Sequence, residues 1–235
     1  MTDHKKGGDK ASPNHRPTTL LLVRHGENDW VGKNRLAGWT AGVHLNKTGR
    51  KQAQATGRWL AKYGPRVDAI YASPLERTRE TADLIARRLN LPVQPCEAIG
   101  EVEYGDWTGK RIKKLAKHPH WGVVQFYPSN AHFPAGESLY HMQTRAVHQV
   151  NELVARHKGQ TILLVSHADV IKSVVAHYLG LHLDLFQRIV ISPASITTIV
   201  FTFMRPLVQT VNSTGHLQVG TNTKKKKRKK KAKKG

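Results

Sequence analysis

A chain of 235 residues with 39% apolar content can bury a substantial core, and its size favours one globular domain with tails over two domains. Its formal charge of +22 is uneven: residues 224–235 hold ten Lys or Arg among twelve, leaving 28 basic against 16 acidic residues, or +12, for the rest. The lone Cys96 excludes an intrachain disulfide and a structural metal site built from thiolates, and no apolar run nears the roughly 18–20 residues that span a bilayer. The polar stretch 1–17 lacks the apolar core of a signal peptide, so the chain is expected to be soluble and cytoplasmic, with no membrane partner.

In chain order, residues 1–17 read as a disordered arm and residues 19–24, roughly, as a buried strand that ends on Arg24-His25-Gly26. Trp30 to Val43, with several glycines and no period, reads as a loop over the site. Asn46 offers an N-cap for a helix through about Lys62, with Ala53, Ala55 and Leu60 facing inward. Val67 to Ala72 is a second strand. Ser73 and Glu76 form a capping-box pattern with Pro74 at the first helical position, which puts Arg77 in the first turn of a helix. Leu91 to Cys96 is a third strand, Gly100 to Gly109 an acidic and aromatic loop, and Lys110 to Lys117 a basic helical stretch. The segment 118–134 has no clear period. From Glu137, apolar residues recur at helical spacing to Val154. Thr161 to Ser166 repeats the first strand and also ends on a histidine, His167, followed by a helical stripe that closes at Gly180. Ser195 to Met204, with Leu217 to Val219, supplies late strands. Strands alternating with helices imply an α/β fold with a mainly parallel sheet covered on both faces, and such sheets bind ligands beyond the carboxyl ends of their strands.

His25, Arg77 and His167 all fall at such ends. A phosphoryl group carries about two negative charges and is stabilised by donors around its three outer oxygens; Arg24, Arg77, His25 and His167 form a suitable ring. The helix after His167 adds backbone N–H donors near Ala168 and Asp169. A neutral histidine can also attack phosphorus, and nearby arginines favour that neutral form; by chemistry alone either His25 or His167 qualifies. The leaving alkoxide needs a proton, from Glu101 or Glu103, and the cations nearby should keep such a carboxyl ionised until phosphate raises its pKa. A metal site is disfavoured despite fourteen histidines, because Arg24 and Arg77 repel a divalent cation and no His-Glu-x-x-His spacing occurs. Trp39, Tyr104, Trp107 and Phe133 are candidate lining for a substrate pocket, with specificity loops around Trp39 and His132.

The segments Leu22 to Glu27, Leu45 to Ala53, Ser73 to Thr78, Glu101 to Trp107, Gly136 to Ser138 and Ser166-His167 resemble, in order, the motifs of the histidine phosphatase superfamily, also called phosphoglycerate mutase-like. The resemblance runs from about residue 18 to 205. It implies a three-layer α/β/α sandwich and metal-independent, cofactor-free phosphohistidine chemistry. His25 would be the nucleophile, Arg24 and Arg77 phosphate ligands, His167 a phosphate ligand and transition-state stabiliser, and Glu101 the proton donor. Asn28 and Val31 stand where many members have Thr and Asn; Asn28 keeps an amide donor, whereas Val31 has none. Ala168 replaces a usual Gly but keeps its N–H for phosphate.

The segment Asp106 to Ala135 is short beside that of the mutases, which favours hydrolysis of a small phosphomonoester over phosphoglycerate mutase activity. A bacterial subgroup named for phosphomutases shares Gly42 to Leu45 and Ser166 to Lys172. A reading of another class gives the work to the polybasic tail, residues 223–235, as a nonspecific binder of nucleic acid or another polyanion. The domain itself is expected to span 18–222, in an oligomeric state the sequence does not specify.

Overall fold

The structure, a computed structural model, describes residues 16–218. In chain order they form β1 (Thr18–Arg24), α1 (Asp29–Gly32), α2 (Lys47–Tyr63), β2 (Ala69–Ala72), α3 (Glu76–Leu89) and β3 (Val93–Pro95). Then come α4 (Ile112–Leu115), α5 (Trp121–Phe126), α6 (Leu139–Arg156), β4 (Thr161–Ser166), α7 (Ala168–Tyr178), β5 (Ile196–Phe201) and β6 (Pro206–Ser213), with short 3-10 turns between. The sheet order is β3-β2-β4-β1-β5-β6. The first four strands are mutually parallel, whereas β5 runs antiparallel to both its neighbours.

Neighbouring residues of a strand point to opposite faces, and the apolar runs are apolar on both. Leu20, Leu22, Ile162 and Leu164 pack beneath Met142 and Val150 of α6 and Ile171 and Val174 of α7. Leu21, Val23, Leu163 and Val165 pack on the other face against Leu60 of α2 and Ala82 and Ile85 of α3. The result is the expected three-layer sandwich. The pairing of β1 with β4 sets Arg24 opposite Ser166, and the His25 N–H donates to the Ser166 carbonyl at 3.0 Å. Both histidines therefore leave the sheet at one edge.

Two helix starts follow the sequence reading. Asn46 Oδ1 accepts from the Gly49 N–H at 2.9 Å, and Ser138 Oγ accepts from the His141 N–H at 3.0 Å. A third does not. Helix α3 begins at Glu76, its N-cap Leu75 makes no side-chain cap bond, and Pro74 lies outside the helix. The Ser73 hydroxyl is turned instead to His167 Nε2 at 2.8 Å, a tertiary bond that competes with the local cap.

Other boundaries move inward: β2 starts at Ala69, β3 covers Val93–Pro95, and the basic helix shrinks to Ile112–Leu115. Ala55 is only half-buried while Thr56 and Gly57 face the core. The segment of unclear period folds into α5 and a 3-10 turn over Pro128–Asn130. Among the described residues the last strand is Pro206–Ser213. Paired on one side only, it carries little of the apolar alternation that marks a strand, and Leu217 lies in a 3-10 turn. Residues 1–15 and 219–235, which include most of the expected arm and the whole basic tail, lie outside the described residues. No helix of the described residues is long and apolar enough to cross a membrane.

Candidate active site

Beyond the ends of β1, β2 and β4 lies a cavity of about 210 Å³ whose wall includes Arg24, His25, Asn28, Arg77, Glu101 and Ala168. The His25 and His167 rings stand edge to face, centroids 5.3 Å apart, and only 3% and 0% exposed. His25 Nδ1 lies 2.7 Å from the Gly26 carbonyl. A carbonyl only accepts, so Nδ1 carries the proton and Nε2 keeps a free lone pair. Burial, then Arg24 and Arg77, hold the His25 pKa well below the usual imidazole range. The ring is neutral. His167 is lowered by burial, Arg77 and His25 in that order, so Arg77 Nη2, 3.4 Å away, donates to its Nδ1 while Nε2–H points to Ser73.

The guanidinium groups are anchored on one side and open on the other. Arg24 Nη1 donates to the Ile191 carbonyl at 2.7 Å and Arg77 Nη2 to that of Gly38 at 2.8 Å. Arg24 Nε, Arg77 Nε and Nη1, and the Asn28 amide nitrogen are buried without any protein partner. Buried donors left unpaired are costly, and a cluster of them around one cavity is an arrangement that could hold an anion. Asn28 has two tasks: its Oδ1 caps α1 by accepting from Trp30 and Val31 N–H, which leaves Nδ2 for the cavity. Val31 lines the same wall with no donor to offer.

Glu101 corrects the sequence reading. Its pKa is pushed up to about 7 before any ligand arrives, by burial first and the Asp169 carboxylate second, against the lowering pull of Arg77 and Arg24. Desolvation outweighs the cations. Its Oε2 sits 3.6 Å from His167 Nδ1. Glu103, the alternative donor, is exposed and absent from the cavity wall.

Three supports went unseen in the sequence. Arg145 pairs with both Glu137 oxygens, at 2.6 and 3.0 Å, and donates to the Ala98, Gly100 and Glu101 carbonyls. That clamp, with Trp39 Nε1 donating to the Glu101 carbonyl at 2.6 Å, fixes the acid's backbone. The eight-residue separation of Glu137 and Arg145 was its visible signal. Asp169 adds a carboxylate where only a backbone N–H was expected. Thr81 Oγ1 accepts from the Gly26 N–H at 3.0 Å, pinning the turn after His25. Tyr104 lines the cavity, whereas Trp39 and His132 do not. Among the described residues no cluster of three or more His, Cys, Asp or Glu could hold a metal ion.

Fold and cavity together define an α/β protein with a cationic site at the carboxyl edge of its sheet. The sequence profile of the histidine phosphatase superfamily (branch 1) matches residues 20–214, and the chain belongs to that superfamily. It is 32% identical to phosphoserine phosphatase 1 of Hydrogenobacter thermophilus over 203 residues, which cover 84% of this chain and 93% of that one. It is 33% identical to a 2,3-bisphosphoglycerate-dependent phosphoglycerate mutase of Rhizobium etli over 166 residues, 67% of this chain and 77% of that one. Bacillus stearothermophilus YhfR superposes with a TM-score of 0.79 at 29% identity, covering 85% of this chain and 99% of that one.

Proposed function

We propose that the protein is a metal-independent phosphomonoesterase that works through a phosphohistidine on His25. The observation that carries this reading is the ring of unpaired buried donors from Arg24, Arg77 and Asn28 around a neutral histidine whose Nε2 is free. His25 Nε2 attacks phosphorus and the ester P–O bond breaks. Protonated Glu101 gives its proton to the departing alkoxide. The carboxylate so formed then takes a proton from water, whose oxygen attacks phosphorus and breaks the P–N bond. Phosphate is released, His25 is restored and Glu101 is protonated again. Arg24, Arg77, Asn28 and the Ala168 N–H hold the phosphoryl oxygens, and the His167 Nε2–H, turned from Ser73 to the phosphoryl group, stabilises the charge of the transition state.

Support for hydrolysis over mutase transfer comes from the short Asp106 to Ala135 segment and the longer alignment with the phosphatase relative. The test is turnover of a labelled phosphomonoester with a chelator present, followed by a quench. Acid-labile phosphate should be trapped on the wild-type protein and none on His25→Ala. Label on His25→Ala, or activity that a chelator abolishes and a metal restores, would refute the mechanism. Product that forms only with a bisphosphate primer would make it a mutase. The basic tail has no part in this proposal.

A further inference from the structure

A second cavity, of about 250 Å³, meets the first at a common wall of Leu36, Tyr104, Ile112 and Asp169. Its remaining surface is mostly Trp107, Trp121 and Phe133, with Val124 and Leu139, and its uncharged polar side chains are Gln125 and Gln187. The rings pack on one another as the wall of an aromatic box: Trp107 and Trp121 stack at 25°, centroids 6.0 Å apart, and Phe133 meets Trp107 edge-on at 5.3 Å. Its charged groups, Asp169 and Lys172, are already paired at 3.1 Å. Lys172 also donates to Gln187, and Tyr104 OH donates to the other Asp169 oxygen at 3.0 Å. A wall whose charges are mutually satisfied asks for no charge from a ligand. Arg35 faces the phosphate cavity, where it donates to the Gly109 carbonyl and lies over the Trp30 ring.

We infer that the second cavity receives the alcohol part of the substrate, and that this part is an uncharged aromatic or bulky apolar group rather than the carboxylate-bearing serine or glycerate. The inference rests on the phosphate cavity proposed above: the phosphoryl group sits among Arg24, His25 and Arg77, and the chain beyond its ester oxygen runs past Tyr104 and Ile112 into the aromatic box. Apolar surface leaving water drives the selection, and the absence of a spare cation there penalises a carboxylate.

Non-hydrolysable phosphonates separate this inference from the hydrolase reading. Ethylphosphonate, 3-phenylpropylphosphonate and 2-amino-4-phosphonobutyrate are titrated by calorimetry and by the fluorescence of the full chain. The phenylpropyl compound should bind at least about tenfold more tightly than either other and alter the tryptophan emission. Val124→Phe, which fills the box, should abolish that ratio. Equal affinities, or tightest binding of the amino acid phosphonate, would overturn the inference. Should Val124→Phe fail to fold by circular dichroism, the wild-type ratio alone decides. Absence of ester turnover would count against the hydrolase and leave this ratio to be read independently.

Discussion

Glu101→Gln should weaken catalysis and strengthen the fold, and the second effect should grow with pH. The acid's pKa rises from 4.5 to about 7 on folding because its carboxyl is buried beside Asp169. The side chain is 12% exposed, so solvent screening removes little of this effect. A carboxyl with a raised folded pKa imposes no penalty well below its unfolded value, where both states hold the proton. As pH rises through 4.5 the unfolded chain ionises first, and the penalty reaches its full size above about 7. The shift corresponds to about 3 kcal/mol at pH 8, against less than about 1 kcal/mol at pH 5. Gln keeps the shape and can still accept from the Val102 N–H, which Glu101 Oε1 now does at 3.1 Å. Urea unfolding of both proteins at the two pH values measures the difference. In parallel, wild-type kcat/KM for an alkyl phosphate should fall as pH rises through about 7 and the acid loses its proton. The Gln variant should lose on the order of 10²–10⁴ in rate together with that limb. A phenyl ester whose phenolate departs without a proton should be hit less. An equal stability difference at pH 5 and pH 8, or an unchanged alkaline limb, would refute the assignment of a buried proton to Glu101.

Asn28→Asp keeps the acceptor that caps α1 but replaces the unpaired amide with negative charge. Inhibition by inorganic phosphate should weaken by about tenfold or more with little change in melting temperature; an unchanged inhibition constant would remove Asn28 from the phosphate ring. Gly49→Ala would place a methyl on the Glu27 carbonyl oxygen, where the turn after His25 lies against the start of α2. Overpacking against backbone should cost about 1–3 kcal/mol in urea unfolding, and wild-type stability would show that the turn can move.

The sequence by itself determined the sandwich, because β1, β4, α2 and α6 announce themselves through local apolar patterns and, for α2, through the Asn46 cap. It also placed Arg24, His25 and His167 at one edge, where their strands end, and Arg77 beside them in the first turn of the helix that follows β2. Only the tertiary structure decided what those residues experience. Ser73 looked like a cap and became a partner of His167, because the bond across the sheet is unavailable until β2 and β4 pair. Glu101 was expected to stay ionised beside two arginines, yet the burial that raises its pKa to about 7 arises from chain segments far apart in sequence. The aromatic box likewise forms only when α4 and α5, too short to show a period, close over the Gly100 to Gly109 loop. Neither desolvation nor enclosure is a property of any short stretch, and for that reason the chemistry of the acid and the shape of the second cavity lay beyond the sequence.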